Sequence, residues 1–79
     1  MVDLKFICVD GWDRPVYSDP KGNIWKDVNP FRDRQAYLCA ATNNELDGEP
    51  DYEFDDVPRF IPARAVWNIK HGRTILEVE

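Results

Sequence analysis

Few side chains in this sequence could do covalent or acid–base chemistry. Ser18 is the only serine and His71 the only histidine, and they lie far apart in the chain. Ser18 borders a predicted tight turn. His71 occupies the tip of a predicted hairpin, where a side chain is exposed and poorly held for work as a base. The chain has no GxGxxG, P-loop or CxxC motif. We therefore expect no catalytic residues and a protein that is not an enzyme.

One stretch resembles a metal-binding loop. Asn43, Glu45, Asp47 and Gly48 match the first, third, fifth and sixth places of a calcium-binding EF-hand loop. The match then fails, because Phe54 stands at the twelfth place, where a bidentate Glu is needed. Two cysteines and one histidine, all widely separated, do not form a zinc site. We expect no metal and no cofactor.

The same stretch belongs to a strongly acidic segment, residues 45–56. Outside it, ten basic residues outnumber eight acidic ones, whereas the segment has seven acidic residues and no basic one. Such a segment can be a solvated loop, or it can present an acidic face to a basic partner. The net charge of −5 argues against direct binding of nucleic acid. The predicted partner-binding carboxylates are Glu45, Asp47, Glu49, Asp51, Glu53, Asp55 and Asp56.

Three aromatic residues are candidate anchors for that partner. Trp12 lies in a polar loop, and Tyr52 and Phe54 alternate with the acidic residues of the segment. Exposed aromatic side chains beside charge are typical of interaction hot spots. The alternation lets either face of residues 51–56 be the buried one, so Tyr52 and Phe54 could also belong to the core.

Length and hydropathy place the protein in a broad class. A chain of 79 residues is expected to form one domain, residues 1–79. No apolar run approaches the ~20 residues that cross a bilayer. The run from Phe6 to Val9 is too short for a signal-peptide core, and Asp3 stands where a basic flank belongs. We expect a cytoplasmic protein that does not bind a membrane.

Strand signals dominate the first half of the chain. Residues 4–10 are rich in apolar and β-branched types and predict a buried strand. Asp19-Pro20-Lys21-Gly22 predicts a type I turn followed by a glycine bulge. With Asp19 opposite Asn23, Tyr17 faces Trp25 across the two strands, and an aromatic pair supports that register.

The predicted elements in the middle of the chain are shorter. Residues 29–34 begin with Asn and Pro, which predict a single helical turn. Residues 36–42 predict a central strand. The acidic segment is then expected to form a long loop to about Asp56, and residues 57–62 are expected to be extended. Cys8 and Cys39 lie in apolar runs and are expected to be free thiols, although a disulfide is possible if their strands are neighbours.

The last predicted hairpin has a two-residue loop at His71-Gly72. Lys70 would then face Arg73, and the apolar residues would fall on one face. Counting back from that loop gives the pairs Ile69–Thr74, Trp67–Leu76 and Ala65–Val78. The predicted fold is mainly β. It has about five or six short antiparallel strands in a twisted sheet or small open barrel, with at most one or two short helical turns.

Part of the chain resembles small uncharacterised proteins of bacterial phages and other mobile elements. The resemblance is carried by residues 12–17, Gly22, residues 25–28 and residues 44–51. It implies a protein that binds and blocks a host defence protein, as anti-CRISPR proteins and DNA-mimicking antirestriction proteins do.

The first functional hypothesis is a non-enzymatic inhibitor that engages a basic or nucleic-acid-binding protein through residues 45–56. The alternative is a structural or accessory β-domain of a phage or mobile element that self-associates, for example as a homodimer, through an exposed strand edge.

Overall fold

The computed structural model describes residues 1–77 and confirms the mainly β prediction. A short 3₁₀ segment, Thr42–Asn44, is the only helical element in this part of the chain. Eight strands make up the rest of the regular structure: β1 (Val2–Val9), β2 (Pro15–Ser18), β3 (Ile24–Asp27), β4 (Leu38–Ala41), β5 (Pro50–Glu53), β6 (Pro58–Ile61), β7 (Val66–Asn68) and β8 (Arg73–Ile75).

Six of these strands form one sheet, in the order β5-β4-β3-β2-β1-β6, and β7 and β8 form a separate hairpin. Every pair is antiparallel except β1 with β6, which is parallel and begins with Val2 opposite Pro58. The prediction of antiparallel strands throughout is wrong for that pair. The reason is that β6 comes from the opposite edge of the sheet and does not follow β1 through a hairpin.

A short connection forces this sheet to curl. Strands β5 and β6 are its two edges, yet only residues 54–57 link them. The five Cα steps from Glu53 to Pro58 span at most about 18 Å. The edges of a flat sheet of this size would lie about 24 Å apart, at ~4.8 Å per strand. The two edges therefore bend toward each other around one core.

The core is aromatic and receives side chains from both edges. Its buried centre comprises Leu4, Tyr17, Trp25, Leu38 and Ala40. Phe60 of β6 lies 4.9 Å from Tyr17 between ring centroids, and Phe54, just after β5, lies 4.8 Å from Trp25. Phe6 also packs against this cluster, as the sequence predicted.

The first predicted hairpin is confirmed in its register. Tyr17 faces Trp25 and Ser18 faces Ile24. The Asp19 N–H donates to the Asn23 carbonyl at 3.0 Å, and Gly22 has a φ of 86°. That positive φ is the conformation for which the turn requires glycine.

The last hairpin forms, but its predicted register is wrong by two residues. Trp67 faces Thr74 and Asn68 faces Arg73, so the loop is residues 69–72. The Asn68 side chain stabilises this longer loop by accepting the His71 N–H at 3.1 Å. A shift of two leaves every side chain on the same face of the hairpin, so the apolar pattern cannot distinguish the two registers. The predicted Ala65–Val78 pair lies outside the described residues.

Two further predictions need correction. Strand β1 is not a buried strand: Leu4 is its only buried residue, and Ile7 is 39% exposed. A bulge between Phe6 and Cys8 interrupts the pairing with β2 and breaks the alternation of faces there. Residues 29–34 form two short hydrogen-bonded turns and no helix. The Phe31 N–H donates to the Asn29 carbonyl at 2.9 Å, and the Arg34 N–H donates to the Phe31 carbonyl at 3.0 Å.

Both cysteines are free thiols. Cys8 lies in β1 and Cys39 in β4, with β2 and β3 between them. Three strand spacings separate them by about 14 Å, well beyond disulfide reach.

Strand β3 buries two consecutive charges on opposite faces of the sheet. Lys26 is 0% exposed, and its Nζ lies 2.9 Å from Oδ2 of Asp10. The same carboxylate accepts the Arg14 Nε–H at 2.8 Å and the backbone N–H groups of Trp12 and Arg14. Burial would raise the pKa of Asp10, but these hydrogen bonds outweigh it and lower the pKa, so Asp10 stays ionised.

Asp27 forms the buried ion pair on the other face of the sheet. Its Oδ1 accepts the N–H groups of Asn29 and Tyr37, and its Oδ2 accepts the Arg64 Nε–H at 3.3 Å. The same guanidinium donates to the carbonyls of Arg34 and Asn29. One buried carboxylate therefore organises the turn after β3 and secures the chain that follows β6.

Asp10→Asn should cost about 3 kcal/mol in the free energy of unfolding, because it leaves the Lys26 ammonium unpaired in the interior. The side-chain oxygen of the new asparagine can still accept the backbone N–H groups, so the lost free energy of unfolding measures the effect of the missing charge. Urea denaturation measures it. Asp3→Asn, which breaks the exposed Asp3–Arg59 pair, should cost less than about 1 kcal/mol. Equal costs for the two variants would show that the buried pair is not a main support of the fold.

A second prediction concerns alkaline pH. Burial raises the pKa of Tyr17 from 10.0 to about 12, although the bond from the Ala65 N–H opposes that rise. Between these values the unfolded chain releases its tyrosine proton and the folded chain keeps it. The free energy of unfolding should therefore fall as pH rises from 10 to about 12. Thermal denaturation from pH 8 upward measures the fall, and Tyr17→Phe should show a shallower one; parallel curves would contradict the assignment to Tyr17.

Candidate binding site at the acidic edge of the sheet

The acidic segment is only partly the loop that the sequence predicted. Residues 50–53 form β5, an edge strand paired with β4, in which Glu53 faces Cys39 and Pro50 faces Ala41. Tyr52 instead contacts Trp25, which lies on the opposite face of the sheet from Cys39. The edge therefore presents acidic side chains on one face and an aromatic ring on the other.

Backbone contacts shape the start of the segment. Thr42 donates its N–H and its hydroxyl to the Glu49 carbonyl, at 2.9 and 2.8 Å, which closes residues 42–49 into a loop. A Cβ on Gly48 would lie 2.4 Å from the Thr42 carbonyl oxygen, so this close approach requires glycine. Asn44 accepts the Ile24 N–H and donates to the Gly22 carbonyl. These bonds fix the acidic loop against the β2–β3 turn.

Of the four residues that match a calcium loop, Gly48 has a structural role, because it permits loop closure. Asn44, the neighbour of the matching Asn43, bridges to the first hairpin. Within residues 1–77, no three His, Cys, Asp or Glu side chains come together in a way that could hold a metal ion.

All seven carboxylates of the segment are exposed. In the described part of the chain, Asp56 is the only one of them that forms an ion pair, with Oδ1 3.7 Å from the amino group of Met1. The Glu53 carboxylate accepts a long hydrogen bond from the Tyr37 hydroxyl at 3.5 Å. The segment is therefore a surface of largely uncompensated negative charge.

The Lys and Arg side chains that form ion pairs in the described residues pair with acids outside the segment. Arg59 binds the carboxylate of Asp3 through two nitrogens, at 2.7 and 2.9 Å. Four further cations pair outside the segment: Arg14 and Lys26 with Asp10, Arg64 with Asp27, and Arg32 with Glu77. Part of the positive charge outside the segment is thus neutralised by specific ion pairs.

A groove of about 480 Å³ adjoins the segment on the aromatic face. Trp25, Tyr52 and Phe54 provide its aromatic surface, with Trp25 nearly perpendicular to Tyr52 (87°) and to Phe54 (78°). Tyr52 is 65% exposed. The groove's carboxylates belong to the start of β1, to the β2–β3 turn and to the chain after β5: Asp3, Asp19, Asp55 and Asp56.

Asp19 fixes one wall of this groove. Its carboxylate accepts the N–H groups of Lys21 and Asn23 at 2.9 Å and the Trp25 indole N–H at 3.1 Å. Burial would raise the pKa of Asp19, but the hydrogen bonds from Trp25 and Asn23 outweigh it and lower the pKa. The indole N–H is therefore already engaged and does not donate to anything that enters the groove.

Trp12, the third predicted anchor, lies away from the groove. It is 77% exposed and lines a separate cavity of about 190 Å³ with Asp47 and the buried Lys26–Asp10 pair. Lys26 and Trp25 are neighbours on one strand and face opposite sides of the sheet. The structure thus separates the predicted site residues: Tyr52, Phe54, Asp55 and Asp56 line the groove, and Trp12 and Asp47 lie on the other face.

Sequence reasoning missed every groove residue outside the acidic segment, among them Asp3, Asp19, Lys21 and Trp25. Asp19 was assigned to its turn and Trp25 to its cross-strand pair, and both roles are present. No sequence signal indicates that the turn, the start of β1 and the end of β5 converge, because these segments are remote in the chain.

Comparison with protein-family models, curated proteins and solved structures gives no match to this chain. Among residues 1–77, no helix has the length and apolar character needed to span a membrane. Function must therefore be inferred from the chemistry of the acidic edge and its groove.

If the exposed acids serve binding and not folding, removing them should not harm the fold. The triple variant Asp51→Asn, Glu53→Gln, Asp55→Asn should be more stable than the native chain by about 0.5 kcal/mol at low salt, since like charges repel. Chemical denaturation should show the gain shrinking at ~1 M NaCl, where such repulsion is screened.

Asp19→Asn is the contrasting variant, because its carboxylate holds a turn. It should lose about 1 kcal/mol through weakened hydrogen bonds. A comparable loss in the triple variant would instead assign the acidic residues a structural role.

Proposed function

We propose that this chain is a non-enzymatic binding protein that recognises a basic surface of a partner protein through residues 45–56 and the groove beside them. One observation carries the proposal. Six of the seven carboxylates in this segment have no cationic partner within residues 1–77, while the ion pairs of the fold lie elsewhere. Unneutralised like charge costs stability, and departures from local stability rules are typical of functional sites.

The negative sign of this charge and the aromatic rings beside it indicate the kind of partner. A surface of exposed carboxylates beside aromatic rings attracts a basic protein and repels nucleic acid. From the resemblance to phage and mobile-element proteins, we also propose a nucleic-acid-handling host protein as the target, blocked in the manner of anti-CRISPR or antirestriction inhibitors. We propose that the protein encounters this target in the cytoplasm.

Self-association through the sheet edge is the alternative. Both edge strands carry a proline and charge: β5 has Pro50, Asp51 and Glu53, and β6 has Pro58 and Arg59. Proline and charge on an edge oppose its pairing with another strand. Pairing of β5 with β5 of a second copy would also bring like charges together, which favours the basic partner over the homodimer.

A lysate pull-down tests the proposal. The purified chain should retain a basic or nucleic-acid-handling protein at ~50 mM salt and release most of it at ~500 mM, because screening weakens charge-driven association. With the recovered protein, the triple variant Asp51→Asn, Glu53→Gln, Asp55→Asn should bind about tenfold more weakly in a calorimetric titration.

The matched control changes the net charge equally at another site. Asp33→Lys with Gln35→Lys adds the same three charge units at exposed positions near the Phe31–Arg34 turn. It should bind much more tightly than the triple variant if the position of the charge matters. Equal weakening would indicate a net-charge effect, and a bait that recovers only itself would favour the homodimer.

A further inference from the structure

The groove beside the acidic segment has the features of a site for one cationic side chain. Its volume, about 480 Å³, falls within the ~300–1,000 Å³ range of small-ligand sites. Three separate segments form its walls: the start of β1, the turn at residues 19–23, and residues 52–56. The Asn44 hydrogen bonds to Ile24 and Gly22 hold the second segment against the loop of residues 42–49, which precedes β5.

The aromatic surface favours a cation with an apolar or planar body. The Trp25 and Tyr52 ring centroids lie 5.8 Å apart, and those of Trp25 and Phe54 lie 4.8 Å apart, with near-perpendicular planes in both pairs. Ring faces attract cations through their quadrupole. Because the indole N–H is already bonded to Asp19, Trp25 has no donor for an anionic ligand.

The carboxylates of the groove differ in whether they already form ion pairs or hydrogen bonds within the protein. Asp3 is paired with Arg59, Asp19 is bonded within its turn, and Asp56 accepts the Val57 N–H. Asp55 is exposed and has neither a hydrogen bond nor an ion pair within residues 1–77. It is the carboxylate in the groove that is free to pair with an incoming charge. The groove's own cations belong to Met1, whose amino group pairs with Asp56, and to Lys21 in the turn at residues 19–23.

We propose that this groove binds an arginine side chain of the partner, with the guanidinium against the exposed ring of Tyr52, next to the buried Trp25, and paired with Asp55. The inference rests on the proposed function, since it names the group through which the basic partner is recognised. Arginine fits better than lysine, because a planar guanidinium stacks on rings and pairs with a carboxylate through two nitrogens. A lysine ammonium is compact and strongly hydrated, and does neither.

Two blocked peptides of equal charge, tri-arginine and tri-lysine, test the inference on the full chain by two-dimensional NMR. Tri-arginine should shift the Trp25 indole N–H and the amides of residues 52–56, and bind about fivefold more tightly than tri-lysine. Asp55→Asn should remove most of that preference, and since Asp55 supports no contact in the described fold, its folding is not in question.

Tyr52→Ala and Tyr37→Ala form a matched pair of aromatic variants. Both rings are exposed, but Tyr37 lies outside the groove and contacts Glu53. Tyr52→Ala should weaken tri-arginine binding severalfold and leave tri-lysine binding nearly unchanged. Tyr37→Ala should affect neither peptide.

The results distinguish this inference from the proposed function. Equal binding of the two peptides, with shifts confined to Asp51 and Glu53, would overturn the arginine groove and leave an acidic surface for a basic partner. Failure of both peptides to bind, together with unchanged partner binding by the triple acidic variant, would overturn the proposed function and this inference with it.

Discussion

The cost of burying charge constrains the rest of this small structure. Lys26 and Asp27 are consecutive residues of a central strand, and both are fully buried on opposite faces. A buried charge is tolerated only when it is paired and hydrogen-bonded. Asp10 on one side and Arg64 on the other meet that need, and each also binds backbone groups of its surroundings. Two loops and the chain after β6 are thereby fixed to the sheet.

The curl of the sheet creates the candidate site. Because only residues 54–57 connect its two edges, β5 is drawn toward β6 and β1. The chain after β5 then lies beside the start of β1 and the first hairpin turn, and a groove remains between them. Phe54 contributes to the core and to the groove alike, so the site is built on the packing of the fold and not on a mobile loop.

Predictions from local chemistry succeeded where neighbours in sequence are neighbours in space. Asp19 and Gly22 specify a turn by hydrogen bonding and by a positive φ, and the register of β2 and β3 follows from it. The location of the last hairpin was predicted correctly, but its register was wrong by two residues, because both registers bury the same face. The exposure of the acidic side chains also followed from their clustering, since the segment holds no cation to pair with them.

The sequence by itself determined the mainly β class, the first hairpin and the location of the acidic segment, since turn chemistry, side-chain alternation and charge act over a few residues. Only the tertiary structure decided that β6 pairs in parallel with β1, that β5 forms an edge strand, and that Trp12 lies away from Tyr52. It also decided that Asp3, Asp19 and Trp25 share a groove with Asp55. These outcomes depend on contacts between remote segments, which are set by the curl of the sheet and the pairing of buried charges, and no local pattern encodes them.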